Sequence, residues 1–192
     1  MFQKRYKKPK KNFEDSPEKA KETAVALLAY KENTEKELYD KLTARGFSKE
    51  NAAAALAYVV EKHFLSEKRY FLRLVEYCGN VKRFGRRRIM AEIYQKGFSA
   101  ATVEEYSEEA FGKIDFDENC YEALTLLKKS DREKARAALL RRGYSGDNVR
   151  YAFARFEKET GRPYGEGGDE DGYENDAVGD FDNDAPGGFF DD

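Results

Sequence analysis

Cysteine and histidine are scarce: the 192 residues include two cysteines, Cys78 and Cys120, and one histidine, His63. Two cysteines cannot build a disulfide framework, and these two form no CxxC pair of the kind that holds a metal. A single histidine leaves few routes to imidazole catalysis or metal binding. No apolar run approaches the ~20 residues that cross a bilayer, so no membrane partner is expected. The N-terminal basic stretch has no apolar segment behind it, which argues against a secretory signal. A phosphate-cradling glycine loop and a dinucleotide fingerprint are both missing. Carboxylates are plentiful, but none stands in a local constellation with a nucleophile or at metal-ligand spacing. Neither an enzyme nor a cofactor is therefore expected, and a reducing cytoplasm is the default compartment.

What the chain has in excess is charge. Lys and Arg number 35 and Asp and Glu 37, for a net charge of -2, and 38% of residues are charged. The near-neutral total hides three segments. Residues 1–12 carry six bases, Lys4, Arg5, Lys7, Lys8, Lys10 and Lys11, and no acid. Residues 161–192 hold eleven acids against one base, Arg162, and are rich in glycine. Such a stretch lacks the apolar surface that would offset its ordering entropy, so 161–192 is expected to be a disordered acidic tail and 1–15 a flexible basic arm. The intervening 13–160 is slightly basic, with 28 bases and 26 acids.

The middle of the chain repeats. Leu38 and Leu42 precede Arg45-Gly46-Phe47-Ser48; Ile89 and Ile93 precede Lys96-Gly97-Phe98-Ser99; Ala135 and Leu139 precede Arg142-Gly143-Tyr144-Ser145. A period of this size with helical spacing suggests stacked helical units. Gly46, Gly97 and Gly143 stand where a helix would end in the left-handed conformation that glycine adopts freely. The aromatic after each glycine can pack back on Leu42, Ile93 or Leu139, and the serine that follows can cap the next helix. Ser16-Pro17, the capping boxes Thr34–Glu37 and Ser130–Glu133, and Ser66 supply further starts. The spacing predicts helices over 17–31, 35–45, 49–63, 67–81, 86–96, 100–112, 117–129, 131–142 and 146–159. The expected fold is all-α: three tandem three-helix repeats, 16–65, 66–113 and 114–160, stacked on one another, with disordered termini.

Most polar residues have an ordinary structural explanation. His63 falls near a helix C-terminus, where partial positive charge is favoured. Cys78 and Cys120 lie on apolar stripes and read as buried core thiols. Bases in a last helical turn complement the dipole, which accounts for Arg45, Lys96, Arg141 and Arg142. The segment 81–100 is different: Lys82, Arg83, Arg86, Arg87, Arg88 and Lys96 face a single acid, Glu92. Arg86, Arg87 and Arg88 open a helix, the wrong end for cations, at roughly 0.3–1 kcal/mol each when exposed. A local rule broken without visible compensation points to function. Guanidinium groups bind phosphate or carboxylate bidentately. The plain alternative is a solvated face with an Arg88–Glu92 pair worth a few tenths of a kcal/mol. Residues 120–160 are also basic, with ten bases and six acids. The arm interleaves Phe2, Tyr6 and Phe13 with its lysines, a pattern that suits nucleic-acid backbone and base stacking as well as simple solubility.

These residues resemble the RecX family, regulators of the RecA recombinase. The resemblance covers about 18–158 and is carried by Leu38, Leu42 and Arg45-Gly46-Phe47, by His63-Phe64-Leu65-Ser66-Glu67-Lys68-Arg69-Tyr70-Phe71, by Gly85 through Phe98, and by Leu139 through Ser145. Gly85, Arg86 and the Lys96-Gly97 corner are its most specific part. At one joint the family carries an acid where this chain has Ser66; serine still caps a helix, but a contact made by that carboxylate does not carry over. The arm and the tail lie outside the resemblance.

The resemblance implies that these units form an elongated, curved, non-catalytic array that seats in the groove of the RecA–DNA filament and modulates, usually inhibits, strand exchange and ATP turnover; a monomer is expected. It would thus touch single-stranded DNA through the filament or directly, and act in recombination, DNA repair and the SOS response. The expected contacts for DNA phosphates or filament acids are Lys82, Arg83, Arg86, Arg87 and Arg88, then Arg69 and Arg73, then Arg141, Arg142 and Arg150. The rival reading is a helical module that binds nucleic acid without a recombinase, since basic helix starts also resemble helix-turn-helix packing. A passive scaffold is a third. Phe181, Phe189 and Phe190 among the tail's acids could imitate single-stranded nucleic acid and weaken binding to the basic surface.

Overall fold

The computed structural model describes residues 13–127 and 131–165; residues 1–12, 128–130 and 166–192, and with them the expected states of the far arm and tail, lie outside it. The described residues form helices and no strand: α1 (Pro17–Tyr30), α2 (Glu35–Ala44), α3 (Lys49–Glu61), α4 (Glu67–Glu76), a π-helical turn (Tyr77–Val81), α5 (Arg86–Lys96), α6 (Ala100–Phe111), α7 (Phe116–Thr125), α8 (Arg132–Arg141) and α9 (Gly146–Thr160). The all-α class is as expected.

Helix boundaries follow side-chain chemistry. Ser16, Thr34, Ser48, Ser99 and Ser145 each accept a hydrogen bond from a backbone N–H of the helix they open, with Pro17 starting α1. These bonds satisfy donors that have no partner inside the helix. At the other ends Gly46, Gly97 and Gly143 have φ of +107°, +83° and +91°. In the corner after α2, Phe47 N donates to Leu42 O and Gly46 N to Thr43 O; after α8, Tyr144 N donates to Leu139 O and Gly143 N to Leu140 O. The paired bonds terminate each helix and turn the aromatic onto the last apolar position.

Several expected boundaries differ, among them the end of α7, expected at 129 and found at Thr125. The capping box assigned to Ser130 is not the start of α8. Asp131 takes that place, its carboxylate 2.7 Å from Lys134 N, while Ser130 lies outside the described residues. The helix expected over 67–81 ends as an α-helix at Glu76 and continues as the π turn.

The described residues fall into two compact units. One comprises those of Met1–Tyr70 with Lys96–Phe98, the other those of Phe71–Gln95 with Ser99–Asp182. In the first, Ala20, Ala24, Leu38, Leu42, Phe47, Ala52, Ala55, Val59 and Leu65 form the core. The alanines let α1 and α3 approach closely, and the leucines supply roughly 1.5–3 kcal/mol apiece of burial. Phe13, expected in the arm, packs edge-on against Phe47 at 4.8 Å, and Asp15 accepts from Asn51 Nδ2 at 2.7 Å. These bonds hold the Asp15 carboxyl below its usual range, Asn51 contributing most.

In the second unit, Cys120, Ala123, Leu124, Ala135, Leu139, Tyr144, Val149, Ala152, Phe153 and Tyr164 close a core between α7, α8 and α9. Tyr164 belongs to the stretch expected to be tail, yet it is 8% exposed and its ring meets Phe153 and Phe156 at 5.4 and 4.9 Å. The fold therefore runs through 165, because a bulky aromatic behind the Gly161 cap returns to the core. Cys78 and Cys120 are buried thiols and are not joined in a disulfide.

Candidate functional site

The basic stretch 82–88 is locked in place by backbone groups. After the π turn the chain reverses at Arg83, whose φ is +50°. Lys82 N donates to Tyr77 O, and Phe84 N to Cys78 O. Asn119, nearly buried on α7, donates to Gly79 O at 3.2 Å and so ties the π turn to that helix. The Tyr144 hydroxyl, inside the core, points its proton between Arg83 O at 2.8 Å and Asn119 O at 3.0 Å. Burial raises the Tyr144 phenol well above its ordinary value, so it stays a donor. Arg142 reaches the same corner, with Nη2 2.9 Å from Lys82 O and Nε 3.4 Å from Arg83 O.

The start of α5 has no side-chain cap. Gly85 N donates to Arg142 O at 2.8 Å and Arg87 N to Gly143 O at 3.2 Å. The carbonyl end of α8 thus meets the amide end of α5. This contact is possible only because both crossing residues are glycines. A Cβ at Gly85 would lie 2.2 Å from Gly143 C, and one at Gly143 would lie 2.3 Å from Arg88 N. Here the expectation that Arg86, Arg87 and Arg88 sit uncompensated on a helix dipole is corrected. The carbonyls of Arg142 and Gly143 bring the negative end of α8 against that turn.

The candidate residues divide into those that build this joint and those that face outward. Arg83 Nε pairs with Glu122 at 2.6 Å, and Arg142 is spent on the Lys82 and Arg83 carbonyls. The Lys82 ammonium lies 5.6 Å, and the Arg88 and Arg142 guanidinium groups 5.4 and 5.8 Å, from the centre of the half-buried Phe84 ring. Each contact with the ring is attractive, but the three cations repel one another, and an anion brought among them relieves that repulsion. Arg86 is exposed and stacks on Phe111 at 4.6 Å. Arg88 is exposed and pairs with Glu92 at 3.0 Å. Arg87 and Arg141 are exposed and, among the described residues, make no side-chain hydrogen bond, ion pair or ring contact.

The remaining candidates have partners of their own. Arg69, in the other unit, donates to Glu32 at 3.1 Å and to Phe64 O at 3.3 Å. Arg73 is half-buried on α4 and already engaged. Arg150 pairs with Asp147 on the exposed face of α9. Sequence reasoning missed Phe84 and Gly85 as parts of the joint and Tyr94 as an exposed aromatic on α5. The available signal for Gly85 was a glycine before a helix that lacks any Ser, Thr, Asp or Asn cap. Among the described residues no group of His, Cys, Asp and Glu could hold a metal, and no helix is long and apolar enough to cross a membrane.

Comparison with known proteins places the geometry in a context. Residues 20–58 match the family model of the RecX first three-helix domain. The regulatory protein RecX of Pseudomonas savastanoi pv. phaseolicola is 35% identical over 142 residues, spanning 70% of this chain and 90% of the relative. That of Stenotrophomonas maltophilia is 32% identical over 139 residues, spanning 67% and 82%. The Salmonella typhimurium RecX is 28% identical over 152 residues, spanning 69% and 89%. The crystal structure of RecX from Lactobacillus salivarius superposes with a TM-score of 0.61 at 18% identity, over 74% of this chain and 97% of that one, and shares the fold.

Proposed function

Because the chain belongs to the RecX family of regulatory proteins, we propose that it binds the RecA–DNA filament and lowers RecA ATP turnover and strand exchange. In this reading it is a cytoplasmic binding protein, not an enzyme, and it works as a monomer built from three three-helix units, 16–65, 66–113 and 114–160. The observation that carries the reading is the backbone-locked joint that holds Arg86, Arg87, Arg88 and Arg141 at the surface, where Arg88–Glu92 is the one ion pair they make among the described residues. A rigid mount lowers the entropy cost of binding, since those side chains have no loop to order beneath them. Lys82, Arg83 and Arg142 act by building the joint, and the exposed arginines make the contact. Arg69, Arg73 and Arg150 have partners within the fold and stand behind these as candidates.

The test is RecA ATP hydrolysis on single-stranded DNA with and without this protein. A dose-dependent fall supports the proposal, and an unchanged rate at every ratio defeats it. The companion measurement is binding to single-stranded DNA at ~150 mM salt, where electrostatic affinity is already much reduced. Equal affinity with and without RecA would favour a module that acts on nucleic acid alone.

A further inference from the structure

We propose that the outward face of α5 is a binding site for single-stranded nucleic acid, with Arg87 on a phosphate and Tyr94 stacked on a base. The proposal rests on the reading above and names the ligand of the same surface. An α-helix advances about 100° per residue, so residues seven apart fall on nearly the same line. Arg87 and Tyr94 are such a pair, with Ala91 between them, and all three are exposed. Ile89 and Ile93, on the opposite side, are 0% exposed. The helix is thus held by its isoleucine face and presents the Arg87–Ala91–Tyr94 line to solvent. Tyr94 is 56% exposed, a large aromatic surface left in water with no apolar neighbour on that line larger than the Ala91 methyl.

The chemistry of the line favours nucleic acid over an acidic protein surface. A free guanidinium supplies a bidentate phosphate contact. An aromatic about 10 Å further along the axis supplies a stacking platform, and the alanine between them leaves room for a sugar–phosphate chain to approach. Arg86 and Arg88 flank the line and Arg141 adds a further free cation, while the one acid of the helix, Glu92, is held by Arg88. A protein partner would want a broader apolar centre to bury than one tyrosine ring and one alanine methyl, which are the apolar groups this line offers.

The chain contains no tryptophan, so Tyr94→Trp places a single indole reporter in the full-length protein. Titration of that variant with oligo(dT) should quench its fluorescence, and added salt should reverse the quenching. Tyr94→Phe should bind oligo(dT) as the parent does, and Tyr94→Ala should bind roughly tenfold more weakly. Arg87→Gln should lower the slope of log affinity on log salt by about 0.7. An indole that oligo(dT) leaves unquenched, or that RecA free of DNA quenches equally well, would overturn the proposal and assign the face to protein. That failure is separable from failure of the regulatory reading. In the first case the wild-type protein still lowers RecA ATP hydrolysis; in the second it does not.

Discussion

His63 shows what one residue can cost and report. It occupies the corner after α3 with φ of +58°, while His63 N donates to Val60 O and Phe64 N to Val59 O. This is the arrangement that Gly46 and Gly143 make after α2 and α8, with a side chain where they have none. A left-handed backbone costs a non-glycine residue about 1–2 kcal/mol, part of which glycine returns through its freer unfolded chain. His63→Gly should therefore stabilise the protein by about 0.5–1 kcal/mol, read as a higher urea midpoint at unchanged slope. A lower midpoint would show that the imidazole makes a compensating contact. Cys120 makes a second case. Burial, helped by Asp117, pushes its thiol from 9.0 up to about 12. Between those values the unfolded chain has lost a proton that the folded chain keeps. The stabilising contribution is whole below 9.0 and is lost as pH rises through the window. Stability should fall with pH across this range, and Cys120→Ala should flatten the fall; parallel slopes for the two proteins would refute the assignment. The buried thiol should also resist alkylation until the protein unfolds.

At the scale of elements, the crossing of α5 and α8 concentrates several demands on two glycines. Gly143 needs both a positive φ and the absence of a Cβ; Gly85 needs only the latter. Gly161 also has a positive φ of +70°, but a Cβ there meets nothing within 4 Å. Gly161→Ala should therefore cost about 1–2 kcal/mol, the conformational penalty alone. Gly85→Ala and Gly143→Ala should each cost more than about 3 kcal/mol, because backbone must separate from backbone. Thermal unfolding of the three variants checks this order, and equal losses would contradict the close approach. Neutralising Arg86, Arg87 and Arg88 together to Gln should instead leave the melting temperature nearly unchanged. The Arg88–Glu92 pair is worth a few tenths of a kcal/mol and the Arg86–Phe111 contact about 0.5–1. The same variant should lose inhibition of RecA ATP hydrolysis, and a collapsed fold would make those arginines structural. These elements also mark how far the sequence could be read. Ser48, Ser99 and Ser145, with the glycine and aromatic before each, are local signals, and they placed the helix starts and corners correctly. The π turn, the reversal at Arg83 and the carbonyl cap on α5 are not local. They depend on Asn119, Tyr144 and Gly143, whose bonds to this stretch span between 39 and 61 positions of the chain. Phe13 and Tyr164 are not legible for a related reason: composition averages over a segment, whereas one aromatic beside a core can order its neighbours.

For the whole molecule, net charge is set by residues far along the chain from those of the joint. Residues 166–192 contain eleven acids and no Lys or Arg, so removing them moves the net charge from -2 to +9. Because Gly161–Gly165 contribute Tyr164 to the core, the cut that separates charge from fold falls after 165 and not after 160. The field that steers a polyanion toward a protein comes from the summed charge, and salt confines it to about 10 Å at 0.1 M and about 3 Å at 1 M. Deleting 166–192 should therefore tighten binding to oligo(dT) several-fold at low salt, and the full-length and shortened proteins should converge as salt rises. The melting temperature should barely change, since no described core residue is removed. Affinity that is independent of the deletion at low salt would mean that the eleven acids act too far from α5 to matter. A difference that persists at 1 M salt would mean that more than charge is involved, and would point to Phe181, Phe189 and Phe190 as competitors for the place where Tyr94 stacks a base.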